Sequence, residues 1–164
     1  MPLLSCRRAS HAPTPMPRPR SRLFPTPDDA ETAFYDAFER GDPAAMMAVW
    51  AASDDVVCIH PQGPRLIGFE AVRESWAQIF AGGSQLRVRT TEARVFESQT
   101  LAVHTVIELV APPGEHANVT SILATNVFEL TDGGWRMVIH HAAPAPAEAQ
   151  QRREEAAPPS HTLH

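Results

Sequence analysis

Histidines are the residues in this sequence best suited to chemistry. His60 closes the β-branched run Val56-Val57-Cys58-Ile59-His60, directly before Pro61-Gln62-Gly63. A neutral imidazole near pH 7 can accept and return a proton, which suits proton transfer or dehydration at an activated carbon. It could equally hydrogen-bond the following bend and fix its shape. His104 has the opposite parity to Val103 and Thr105 along an extended segment, so it could join His60 or face solvent or a partner. His140 and His141 alternate across the last segment, and only one can point inward. Trp135, Met137 and Ile139 share the parity of His141. If their side is the core, His141 points inward and His140 lies on a partner face or an edge.

Asn126 is the polar member of the set Ile122, Ala124 and Phe128. Its carboxamide could bond a ligand carbonyl or satisfy a neighbouring backbone group. Phe34, Trp50 and Trp76 would line an apolar cavity or form plain core. His60, His104 and His141 could offer three nitrogens to a metal, but no close histidine pair with an acidic partner accompanies them, and neither a metal nor another cofactor is expected. Nucleophile elbow, phosphate loop and dinucleotide-binding glycine patterns are missing from the sequence.

Charge and composition limit the partners. The chain has 164 residues and a net charge of −5, yet residues 28–143 hold sixteen acids against seven arginines, a net −9. An acidic core argues against nucleic acid, which needs a basic face. No stretch has the apolar length of a membrane span, and the cytoplasm is the simplest location. Residues 1–27 carry seven prolines, five arginines and no acid, while the end of the chain is Ala, Pro, Gln and charge. Both segments are expected to be disordered, at 1–27 and 144–164, around one domain at 28–143. Cys58, in an apolar run, reads as a small buried hydrophobe rather than half of a disulfide with Cys6.

The elements that must position these residues follow from periodicity. Thr26-Pro27-Asp28-Asp29 starts a helix whose apolar face is Ala30, Ala33, Phe34, Ala37 and Phe38, stopped by Gly41. Asp42-Pro43 starts a second, short helix. A strand at Val56–His60 and a brief extended piece at Arg65–Ile67 precede a third helix from Gly68 to about Phe80. Four longer strands follow, near 86–96, 100–110, 118–130 and 134–141, with Asp132-Gly133 as a hairpin signal. Helices first and strands last predict an α+β fold. The late strands are apolar at both parities, so both sheet faces need cover. One face meets the helices, and the other is expected to meet a second copy in a homodimer through the outer sheet face.

This order, with Phe34–Gly41-Asp42, Ala51–Asp55 leading into Val-Val-Cys-Ile-His60-Pro61-Gln62-Gly63, then Gly68-Phe69-Glu70-Ala71-Val72 and Trp76, resembles the SnoaL-like and ketosteroid-isomerase-like branches of the nuclear-transport-factor-2-like superfamily. Trp135–His141 fits their last strand. The resemblance implies a cone-shaped, curved antiparallel sheet with three N-terminal helices on its concave face, and a pocket for a small apolar or aromatic molecule. On the isomerase pattern the proton-shuttling base falls on His60. The tyrosine oxyanion donor falls on Phe34, with Tyr35 one step round the helix, and its aspartate partner falls near Ala124. The isomerase mechanism therefore lacks its oxyanion pair in register. The resemblance implies either a cofactor-independent isomerase, cyclase or dehydratase using His60, or a non-catalytic association module similar to the association domain of calcium/calmodulin-dependent kinase.

Overall fold

The computed structural model describes residues 24–83, 86–114 and 118–146. Most of the two tails expected at 1–27 and 144–164 lies outside the described residues. Phe24 does not behave as tail: it is buried, and its carbonyl accepts from Trp135 N at 2.9 Å.

Three helices precede most of the sheet. α1 spans Pro27–Arg40, α2 Pro43–Val49 and α3 Phe69–Ala81. Thr26 and Asp29 cap α1 reciprocally, each side chain accepting from the other's backbone N–H at 3.1 Å. Gly41, in the left-handed region at φ 59°, ends α1. Asp42 caps α2 at once, accepting from Ala45 N at 2.9 Å. This pair of caps makes the tight helical hairpin that the sequence predicts.

The strands are β1 Val57–Ile59, β2 Arg65–Ile67, β3 Arg87–Glu97, β4 Leu101–Ala111, β5 Thr120–Thr131 and β6 Gly134–Pro144. They form one sheet in the order β2-β1-β6-β5-β4-β3. The expected cone-shaped antiparallel sheet is not what forms. The sheet is open, with β2 and β3 as unjoined end strands, and β1 runs parallel to β6. The reason lies in β1 and β2, only three residues each, which are too short to carry the sheet round to its far edge. β1 and β6 are joined through β2, α3 and β3–β5, a connection long enough for the parallel pairing that no hairpin could give. The α+β class and the three helices stand.

The core lies between the helices and one face of the sheet. Ala30, Phe34 and Ala37 of α1, Met46 and Val49 of α2, and Val72 and Trp76 of α3 meet Cys58, Ala102, Phe128 and Met137. Cys58 is a free, fully buried thiol, and burial pushes its pKa up to about 12. Gly134 shows how tightly Phe24 is held. Its φ is 96°, and a Cβ there would lie 2.8 Å from the Phe24 carbonyl oxygen. Gly83 shares the positive φ, at 70°, with nothing within 4 Å. Gly134→Ala is therefore expected to cost clearly more stability than Gly83→Ala, by at least about 1 kcal/mol. Urea denaturation of the two variants checks this; equal losses would mean that the Phe24 contact does not constrain the hairpin.

Candidate ligand site

A hollow of about 570 Å3 opens between the helices and the inner sheet face. α1 contributes Phe34, Tyr35 and Phe38, α3 contributes Trp76 and Ile79, and His60 and Pro61 enter from the end of β1. The strands supply Val88, Glu108, Val110, Ile122 and His140. The walls are mainly apolar, with a few polar atoms placed among them, the usual composition of a small-molecule site.

Tyr35, Glu108 and His140 among them belong to one chain of hydrogen bonds. Asn126, 0% exposed at the middle of β5, lies under the hollow. Its Nδ2 donates to Glu31 Oε1 at 2.8 Å and to Tyr35 Oη at 3.0 Å. Tyr35 in turn donates to Glu108 Oε1 at 2.8 Å. Because Glu31 can only accept, the amide is oriented, and Asn126 Oδ1 must face His140 Nδ1, 2.7 Å away. His140 therefore donates from Nδ1, which leaves Nε2 as a lone pair. On the far side His104 Nδ1 lies 3.0 Å from Glu31 Oε2.

Burial sets the protonation states. Desolvation, aided by His60 and His141, lowers the pKa of His140 to about 3, so its ring is neutral. His60 is also lowered by burial. Glu108 moves the other way: desolvation raises it to about 7, with the Tyr35 hydroxyl opposing and Glu31 adding to the rise. Burial and the neighbouring Glu108 raise Tyr35 above its ordinary value. His104 is raised mainly by its bond to Glu31, against its own burial. Its Nε2 is buried without a partner among the described residues, so a proton there would lack an acceptor.

The structure brings together part of the set expected from sequence. Phe34, Trp76 and His60 line the hollow. His60 Nε2 lies 2.8 Å from Ser75 Oγ, and its ring stands edge-on to Trp76 at 4.8 Å. Asn126 and His104 lie beneath it in the polar chain. Trp50 is core and borders a different depression, beside Phe69 and Arg136. His141, expected inward, is exposed, and His140 takes the inward place. The cause is a β-bulge. Val127 pairs with Ile139 but Phe128 with Met137, so Val138 is an extra residue that reverses the parity of the strand beyond it.

Glu31, Tyr35 and Glu108 were not singled out from the sequence. Glu108 had a legible signal, since it shares the parity of Ala102, His104 and Val106, the inner side of β4. Glu31 precedes Phe34 and Tyr35 by three and four residues, one helical turn. Asp28, Glu31 and His104 also bring one ligand atom each to within 4.8 Å of one another and could hold a cation, although Asp28 is exposed.

Comparison with known proteins agrees with this architecture. The profile of the SnoaL-like domain matches residues 28–148. The chain belongs to the SnoaL-like domain family. Among solved structures it is similar to a provisionally assigned calcium/calmodulin-dependent protein kinase type II association domain from Thiobacillus denitrificans. The two are 39% identical with a TM-score of 0.71, over 76% of this chain and 99% of that one. It is also similar to a provisionally assigned dehydratase of the nuclear-transport-factor-2-like family from Streptomyces avermitilis, 32% identical with a TM-score of 0.63, over 72% of this chain and 93% of that one. The F-box protein SKIP8 of Arabidopsis thaliana is 29% identical over 123 residues, 73% of this chain, which spans 50% of that relative's length. Among the described residues no helix is long and apolar enough to cross a membrane.

The SnoaL-like site carries opposed pH signatures. His140 is depressed on folding, so the stability it supports is present above its ordinary 6.5 and lost as pH falls towards about 3. Glu108 is raised, so its contribution is present below its ordinary 4.5 and lost as pH rises through about 7. In urea titrations across this range, the stability difference between wild type and His140→Gln should grow with pH between 3 and 6.5. The corresponding difference for Glu108→Gln should shrink with pH between 4.5 and 7. Each slope should approach at most about 1.4 kcal/mol per pH unit. Flat differences would mean that neither group is desolvated as described.

Proposed function

We propose that this SnoaL-like domain is a non-catalytic association module that pairs with a second copy through its outer sheet face and keeps the hollow for a small apolar or aromatic molecule. The observation that carries this is the face of the sheet turned away from the helices. Strand pairing puts Phe96, Val103, Ile107, Leu123, Val127 and Ile139 on that side. Phe96 is 70% and Leu123 42% exposed. An apolar surface spread over four strands is more than isolated exposed residues, and it suits a partner of the same kind. The likeness to the Thiobacillus association domain, over almost all of that chain, supports the same reading. The folded module is taken as residues 28–143 with Phe24 and the end of β6 packed onto it.

A second reading is cofactor-independent proton transfer, with His60 as base or acid and Asn126 or His140 as polar partner. The neutral imidazole of His60 in an apolar hollow favours it. Against it, the Nε2 of that ring already meets the Ser75 hydroxyl, and its edge is packed on Trp76. The structural role accounts for both contacts without turnover.

Light scattering after size exclusion should give a particle of at least twice the 18.0 kDa chain at micromolar concentration. Ile107→Asp with Leu123→Asp, which leaves the inner core intact, should give monomers with an unchanged circular-dichroism spectrum. A well-behaved wild-type monomer would overturn the association reading.

A further inference from the structure

The hollow has one ionisable carboxyl and no lysine or arginine among its described lining residues. That carboxyl is Glu108, 7% exposed, on the inner side of β4. Its Oε1 accepts from the Tyr35 hydroxyl, while Oε2 has no hydrogen-bond partner among the described residues. A carboxyl oxygen at the wall of an apolar cavity is left for an occupant to bond, and a charged donor makes the strongest such bond. Glu31 lies just behind it, tied to Asn126 and His104, and adds a second negative charge beneath the same floor. The remaining titratable groups at the hollow, His60 and His140, are neutral at pH 7 and oppose no cation. Phe34, Phe38 and Trp76 line the same space, packed edge to face on one another at 5.6 and 5.7 Å from ring to ring.

From this arrangement, and resting on the reading of the hollow as a ligand site, we infer that the occupant is a protonated amine on an aromatic or cyclic hydrocarbon body. The ammonium donates to Glu108 Oε2, and the body packs among Phe34, Phe38 and Trp76. A carboxylate of the same shape would meet Glu108 with no lysine or arginine in the lining to offset it, so the site discriminates by repulsion as well as by attraction. A hollow of about 570 Å3 accepts a body of roughly two fused rings with a short arm.

Three probes of similar shape test this on the full chain by isothermal titration at pH 8.5, above the Glu108 pKa of about 7: tryptamine, neutral 3-propylindole and indole-3-acetate. Tryptamine should bind at least about tenfold tighter than the neutral probe, as expected for a hydrogen bond to a charged group, and the carboxylate should bind weakest. In Glu108→Gln the gap between amine and neutral probe should close to within about threefold. If that variant does not fold, the order of the three probes on wild type still decides. Neutral and amine probes binding alike, or the carboxylate binding best, would overturn the amine assignment and leave the hollow as a ligand site. A gap that survives Glu108→Gln would also overturn it. If none of the three binds, the ligand-site reading fails, and the amine assignment fails with it.

Discussion

Asn126 makes three hydrogen bonds in a position where water cannot reach it, and two of them cross from the sheet to α1. A carboxamide so placed would cost several kcal/mol if its partners moved away. Glu31 and Tyr35 are therefore held against β5, and α1 cannot collapse further onto the strands. The hollow lies beyond this contact, where Tyr35 reaches on to Glu108 and His140 presents its unprotonated nitrogen side. A polar chain keeps an otherwise apolar space open because each link fixes the orientation of the next. His104 extends the same chain towards the start of α1, whose capped first turn fixes Glu31 in turn.

One sheet then has two dissimilar faces. The inner face carries buried groups that take part in the chain, and its apolar residues contact helices. The outer face carries aliphatic residues and Phe96 with little to cover them. The bulge at Val138 matters to both faces, because it sends His140 to the hollow and His141 outward. A single extra residue thus decides which of two adjacent imidazoles lines the hollow and which is exposed on the other side. Association and ligand binding can coexist in this architecture since they use opposite sides of the same strands.

Much of the fold was legible from local signals. Thr26-Pro27-Asp28-Asp29, Gly41, Asp42-Pro43 and Asp132-Gly133 mark element ends by side-chain chemistry acting over three or four residues, and these ends stand in the structure. The shape of the sheet was not legible, because the length of β1 and its parallel pairing with β6 depend on contacts between distant segments. The same limit applied to the site. Alternation grouped Asn126 with Ile122, Ala124 and Phe128, which are all buried, left His104 open between hollow, solvent and partner, and failed at His141, where Val138 interrupts the period. Glu31, Tyr35 and Glu108 are brought together from a helix and a strand more than seventy residues apart, so their meeting had no local signature. Glu108 could still have been found, as a carboxyl on the inward parity of an apolar strand.

The orientation of the Asn126 amide dictates the proton on His140. Nitrogen-15 spectra of the histidine rings read that proton directly. The account predicts a neutral His140 ring protonated at Nδ1 and bare at Nε2, unchanged from pH 8 down to about pH 5, as expected of a ring whose pKa lies near 3. A ring carrying its proton on Nε2, or one that becomes imidazolium near pH 6, would contradict it.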